Sequence, residues 1–319
     1  MIRFRRFEVK TMVISHDTAK VRITFISNDD HVLMVMNMHH FLKRNSTLNT
    51  VTSNKLINTA QLEKTIEATL ISPHIQNERP VSLLIIAKPE SGKTAMLKQY
   101  RQTKGVFYMT DCTAYGITRD VLPKIVSGEV STLMIADLLT PLSKAVRTRE
   151  SFVAFLNNLI EEGVAKITSY ANVWDKEVRA NVITAVTDSA LKDGRHDWAK
   201  LGFLSRFILF SYSYDISTVT KIFSYYSEHS YDSSFNSKFK IPEKQVNITL
   251  TKETADRLDS IASKIGQQFQ IYGIRAKINF RSFLKALAVR NKRNTVTEAE
   301  FKEFLELADY MNLNFNPLR

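Results

Sequence analysis

Between about residues 82 and 212 the chain repeats one alternation. Short apolar runs rich in β-branched and aromatic residues are separated by longer segments whose apolar positions recur at helical spacing. The runs 82–86, 105–109, 131–135, 181–186 and 207–212 have the length and composition of strands buried on both faces. Strands alternating with amphipathic helices predict an α/β layer structure with a parallel sheet. Ahead of it, 2–7, 21–25 and 32–36 read as short strands, and 43–54 is polar. Beyond about 251 the period turns helical, over 252–267, 280–290 and 298–311. Thr297 and Glu300 stand at capping-box spacing at the start of the last of these. The polar stretch 227–240, with Pro242 after it, predicts a hinge. Three regions follow: an extension over 1–55, a core over 56–230 and a helical domain over 231–319.

The composition suits ordered domains with a full core: of 319 residues 44% are hydrophobic and 24% charged, with 9 Gly and 7 Pro. The single cysteine, Cys112, has no partner for an internal disulfide or a cysteine-rich metal site, which points to a reducing, cytoplasmic setting. No run approaches the roughly 18 apolar residues of a membrane span, and no cleavable leader is evident after Arg3, Arg5 and Arg6. The net charge of +12 favours contact with a polyanion, either nucleic acid or an acidic surface.

The most specific chemistry follows the apolar run at 82–86. Ala87-Lys88-Pro89-Glu90-Ser91-Gly92-Lys93-Thr94 is the phosphate-loop pattern G-x-x-x-x-G-K-[ST] with Ala in place of the first Gly, and Ala95 continues it into a helix. Gly92 lets successive N–H groups face a phosphate, and the helix start adds its dipole. Lys93 is placed to reach the β and γ phosphates, and the Thr94 hydroxyl to ligate Mg²⁺. Ala87 costs about 1 kcal/mol or more if its φ must be positive, and little if it is extended. Downstream, Thr132-Leu133-Met134-Ile135-Ala136-Asp137 ends an apolar strand in a carboxylate suited to Mg²⁺, the second acidic element of such a site. The expected fold is therefore a P-loop NTPase αβα sandwich with a C-terminal helical lid, binding ATP and Mg²⁺ through Pro89, Glu90, Ser91, Gly92, Lys93, Thr94, Ala95 and Asp137.

With these pieces in order, residues 56–312 resemble the AAA+ superfamily, and within it the clade with a hairpin before the sensor 1 strand, such as the MCM replicative helicases. The segment Gly105 to Thr118 looks like the second strand of those modules and the turn after it. Leu159 to Ile167 looks like the helix leading into the hairpin, which would run from Val164 to about Val178. The resemblance implies DNA contact by Lys166, Lys176 and Arg179, although an ordinary hairpin on a basic surface gives the same pattern. It implies sensor 1 at Thr187, an arginine finger at Arg206 in Ser205-Arg206-Phe207, and sensor 2 at Arg281 on a lid helix. Between Gly273 and Arg293 there are seven basic residues and no acidic one. Where AAA+ proteins carry the glutamate that activates water, this chain has Leu138. Hydrolysis is then slow, or another carboxylate such as Asp111 or Glu90 substitutes, or the protein is chiefly an ATP-binding switch.

Two functions are consistent with this pattern. One is an oligomeric DNA-associated ATPase, helicase-like or remodelling, in replication or a mobile-element transaction, assembled as a ring or filament because a finger acts on a neighbour. The other is an ATP-dependent assembly switch that recruits a protein partner with little or no turnover.

Overall fold

The computed structural model describes residues 22–26, 32–37, 57–167, 172–228, 236–269, 272–311 and 316–318. The expected strand at 2–7 and the polar stretch 43–54 lie outside them. The chain divides after Lys55 into two compact units. The first holds an antiparallel pair, β1 (Arg22–Ile26) and β2 (Val32–Asn37), with Thr24 opposite Val35 and a register shift after Phe25.

The second unit, Leu56–Arg319, is α/β. Its sheet is built from β3 (Ser82–Ala87), β4 (Val106–Met109), β5 (Thr132–Ile135), β8 (Asn181–Thr187) and β9 (Phe207–Tyr214). A separate antiparallel hairpin, β6 (Val164–Ile167) and β7 (Asn172–Val178), directly precedes β8. Across the sheet the order is β9-β3-β8-β5-β4, all parallel, and β10 (Asn316–Leu318) adds parallel to β9 at the edge. The five expected core strands lie within two residues of their observed limits.

β3 is buried along its whole length, and its side chains alternate between two cores. Leu83, Ile85 and Ala87 join the core on one face; Leu84 and Ile86 join the core on the other. Each of these leucines and isoleucines contributes about 1.5–3 kcal/mol by leaving water, which is why the run is continuously apolar rather than alternating. The first face is covered by α1 (Ala60–Ile71) and α2 (Lys93–Lys98). The second is covered by α3 (Val146–Asn157), by α4 (Asp188–Lys200), which brings Leu191 and Trp198, and by the short helical turns between β4 and β5. Buried polar groups fix α1 to the sheet: Asn181 Nδ2 donates to the Thr69 carbonyl at 2.8 Å, and Val81 N to Ser72 Oγ at 2.8 Å.

The strand order places the candidate chemistry. From β3 the chain crosses to β4 at the far edge and works back through β5 to β8; from β8 it crosses to β9 on the other side of β3. Connections leave neighbouring β3 and β8 in opposite directions, which opens a crevice at their carboxyl ends, the usual ligand position in open parallel sheets. The loop after Ala87, residues Thr187–Asp188 and Asp137 all lie at that carboxyl edge.

After β9 comes α5 (Ile216–Glu228), then α6 (Lys252–Phe269), α7 (Ile274–Arg290) and α8 (Glu298–Ala308). These last helices do not form a core of their own. Phe280, Phe283, Phe301 and Phe304 share one continuous cluster with Leu62, Ile66, Leu83 and Ile85, and Phe280 meets Phe304 edge-on at 5.2 Å. The described part of the expected hinge is strapped to the body. Ser237 N donates to the Gln99 carbonyl at 2.7 Å, the Phe239 ring packs edge-on against Tyr100, and Val246 exchanges backbone hydrogen bonds with His74 and Gln76. α7 starts six residues earlier than expected because its basic first turns are paired, Arg275 with Glu161 and Lys277 with Asp259. The capping box at Thr297 and Glu300 is present. Among the described residues no helix is long and apolar enough to cross a membrane.

Because α7 and α8 share the core of the sheet, Phe283→Ala is expected to cost about 3–5 kcal/mol and to shift one cooperative transition. Urea melts followed by far-UV circular dichroism and by tryptophan fluorescence should stay coincident; separated transitions would show that the helices fold independently.

Candidate functional site: the loop after β3

Ala87 answers the conformational question the motif raised. It is the last residue of β3, in extended register with Thr187 on one side and Tyr212 on the other. An alanine there carries no strain, and the left-handed positions fall later, at Glu90 (φ 62°) and Gly92 (φ 80°). Gly92 takes that conformation freely, whereas Glu90 does so at a cost of about 1–2 kcal/mol.

Lys93 opens α2 with its side chain largely buried. Its ammonium donates to the carbonyls of Ala87 at 3.0 Å and Lys88 at 2.7 Å and to Ser91 Oγ at 3.2 Å. All three are neutral oxygens of its own loop. The loop is braced from β9, since both Tyr212 Oη (2.9 Å) and Tyr214 Oη (2.8 Å) donate to the Ser91 carbonyl. Burial raises the pKa of both phenols, that of Tyr214 to about 12, so both remain protonated donors at neutral pH. Pro89, Glu90 and Thr94 are exposed around the loop and Ala95 is half-buried.

Two carboxylates act electrostatically on the ammonium. Burial lowers the pKa of Lys93, while the negative charges of Asp137 and then Asp188 oppose the shift. Asp137 is half-buried and accepts from Leu139 N at 2.9 Å. At the next residue the chain turns inward: Leu138 N donates to the Ala185 carbonyl at 2.9 Å, and its side chain is fully buried in the second core. The position expected to hold a glutamate is thus a core position here. Thr187 ends β8, and its hydroxyl accepts from Ala190 N at 3.3 Å, capping α4. Asp188, which the sequence reading did not select, follows it. The signal was its place next to a strand tip that the resemblance had marked.

The two substitute carboxylates do not converge on Lys93. Asp111 pairs with Lys144 at 2.8 Å and accepts from Cys112 N at 2.7 Å, and Glu90 stands exposed on the loop. The Cys112 thiol is pushed up to about 12 by burial and by Asp111, so it stays a thiol at neutral pH. Among the described residues no three His, Cys, Asp or Glu side chains cluster as a metal site.

The expected arginine finger and the expected sensor 2 arginine lie at the other edge of the sheet. Phe207, the residue after Arg206, is in register with Ser82 at the start of β3. Arg206 is therefore separated from its own loop by the length of β3, roughly 16 Å at about 3.3 Å per residue. Its side chain is 10% exposed, forms an ion pair with Glu161 at 2.9 Å and donates to the Gly202 carbonyl at 2.6 Å. Arg281 pairs with Glu78 at 2.9 Å, beside Lys285, on the segment ahead of β3. The reason is helix phase: α7 presents Arg281 and Lys285, one turn apart, to a single carboxylate whose side chain is 2% exposed.

The hairpin meets this same edge. β6 and β7 pair antiparallel, with Lys166 and Lys176 in the two strands; their side chains, like residues 168–171, lie outside the described ones. Arg179 Nε and Nη2 donate to the carbonyls of Glu161 (3.0 Å) and Glu162 (3.2 Å), so it clamps the hairpin base. Residues Asn158–Glu162 form a π turn closed by Gly163 N to the Asn158 carbonyl at 2.7 Å. Glu161 thus has its carbonyl on the hairpin and its carboxylate on Arg206, Arg275 (2.6 Å) and Arg79 (3.5 Å), in a cleft also lined by Pro80 and Asn279.

No protein-family model and no curated protein matches this chain.

Burial pushes the Glu161 pKa up, but the hydrogen bond from Arg275 and the charges of Arg206, Arg275 and Arg79 outweigh it and leave the folded pKa low. The stabilisation is therefore complete above the unfolded carboxylate range, near pH 4.3, and is lost as pH falls through the lower folded pKa. Glu161→Gln is expected to cost about 1–3 kcal/mol at neutral pH, because it removes an ionised hydrogen-bond partner. It should also flatten the acid limb of stability, read as urea midpoints between pH 3 and 7.

Proposed function

We propose that this chain binds ATP with Mg²⁺ at the loop Lys88–Thr94 and that it is an AAA+ type P-loop ATPase which assembles on DNA. The observation that carries the reading is the state of Lys93. Among the described residues, this largely buried ammonium has only neutral oxygens of its own loop as hydrogen-bond partners, at the crevice between β3 and β8, and an anion completes such a site. The residues fit the group. Gly92 supplies the left-handed turn that lets loop amides face phosphate oxygens, Lys93 exchanges its loop carbonyls for those oxygens, and Thr94 and Asp137 hold the cation. Mg²⁺ so held neutralises phosphate charge, and it needs few protein ligands because phosphates and water complete its shell. The tyrosine brace on Ser91 keeps the loop in place, and Thr187 lies beside the loop through its register with Ala87.

Assembly is supported by the position of Arg206. At roughly 16 Å from its own loop, a guanidinium can stabilise transferring phosphate only on another copy, which requires a ring or a filament. Contact with DNA is supported by the net charge of +12 and by the hairpin whose strands carry Lys166 and Lys176. α7 and α8 take the place of a lid, packed on α1 and the sheet. A second reading, an ATP-dependent switch that recruits a protein partner, is favoured by one observation: Leu138 is buried where a water-activating carboxylate would stand.

In equilibrium binding of a fluorescent ATP analogue to the full chain, affinity should require Mg²⁺ and fall at least about tenfold in Lys93→Ala, a loss of about 1.4 kcal/mol or more. Equal binding by wild type and Lys93→Ala sinks the reading. DNA-stimulated turnover that Arg206→Ala abolishes without loss of binding selects the assembled ATPase. Tight binding without turnover, with or without DNA, selects the switch.

A further inference from the structure

The carboxyl edge of the sheet carries five acidic side chains, and their surroundings differ. Asp215, directly after β9, accepts from Thr218 N at 2.7 Å and from Ser217 Oγ at 3.0 Å. Glu90 stands exposed on the loop itself. Asp111 follows β4, three strands away from β3, and is neutralised by Lys144. Asp137 is committed through one oxygen to Leu139 N and is the carboxylate suited to the cation. Asp188 follows β8, the strand that lies between β3 and β5, so it emerges between the Lys93 loop and Asp137. Thr187, directly before it, is in register with Ala87, the residue from which the loop departs. Asp188 is half-buried, and among the described residues its carboxylate makes no hydrogen bond and no ion pair.

We infer that Asp188 is the general base of ATP hydrolysis in this chain, standing in for the carboxylate that Leu138 does not provide. This rests on the nucleotide reading above. The step balances within the named reactants. The oxygen of a water molecule bonds to the γ-phosphorus as its proton passes to the Asp188 carboxylate. The bond from that phosphorus to the β,γ-bridging oxygen breaks, and its electron pair leaves with ADP. The proton then returns to phosphate or solvent. The field of Asp188 at Lys93 agrees with this placement, since it is one of the two negative charges acting on that ammonium.

The test compares Asp188→Asn and Asp188→Glu with wild type in the full chain, measuring the Kd for a fluorescent non-hydrolysable ATP analogue with Mg²⁺ and kcat for MgATP, both with and without duplex DNA. Asp188→Asn should hold Kd within about threefold while kcat falls by about 100-fold or more, the lower end of what a general base supplies. Asp188→Glu, which keeps the carboxylate, should turn over faster than Asp188→Asn. The inference is overturned if Asp188→Asn turns over within about threefold of wild type. It is also overturned if Kd weakens in step with kcat, which would make Asp188 a cation ligand or a structural group, or if both variants fail to fold in thermal melts. Wild type that binds nucleotide but never turns over overturns this inference and leaves the binding reading intact. Wild type that binds no nucleotide overturns both.

Discussion

β3 is the constraint on which the rest of the unit depends. It is buried on both faces and flanked by β8 and β9, so its end at Ala87 is held by register on two sides. The loop that follows starts from a fixed point, and its Ser91 carbonyl is held at a second point by two tyrosines of β9. A buried strand is thereby converted into a positioned ammonium. The low mobility that close packing imposes on such a strand is what a pre-organised anion site needs. A loop carrying the same residues on an edge strand would have one neighbour to fix it instead of two.

The two edges of the sheet divide the chemistry. The carboxyl edge holds Lys93, Thr94, Asp137, Thr187 and Asp188, with opposite charges acting across the crevice. The amino edge holds Arg206, Arg275 and Arg79 around Glu161, and the base of the β6–β7 hairpin is tied to the same residue through Arg179. Glu161 therefore couples the hairpin to Arg206 within one chain. It lies in a π turn, a backbone form that is uncommon and concentrated at functional positions.

The helices after residue 250 show how a core absorbs what reads as a separate domain. Their apolar faces carry phenylalanines that meet the α1 and β3 core, and the strap 236–250 is hydrogen-bonded along its path. Burying one continuous surface leaves less apolar area exposed than two smaller cores would, which favours this docked arrangement. The basic residues of α7 are spent on Glu78, Glu161, Asp259 and Glu67, so its charge is largely internal pairing.

Much was legible in the residues themselves. A strand buried on both faces has to be continuously apolar, so the runs 82–86, 131–135 and 181–186 could be found by composition alone. The phosphate-loop spacing is local, as are Gly92 and the Thr297–Glu300 capping box, and local patterns survive folding. What the tertiary structure decided is relational. Strand order put β8 between the loop and Asp137, and with it Asp188, whose single letter carries no motif. The fold of the turn after β5 sent Leu138 into the core. The φ of Ala87 depended on how far β3 extends, and Arg281 was drawn to Glu78 by helix phase and a buried carboxylate that no local spacing announces. Residue types set which chemistry is available; proximity between segments far apart in the chain exists only once the sheet has chosen its order.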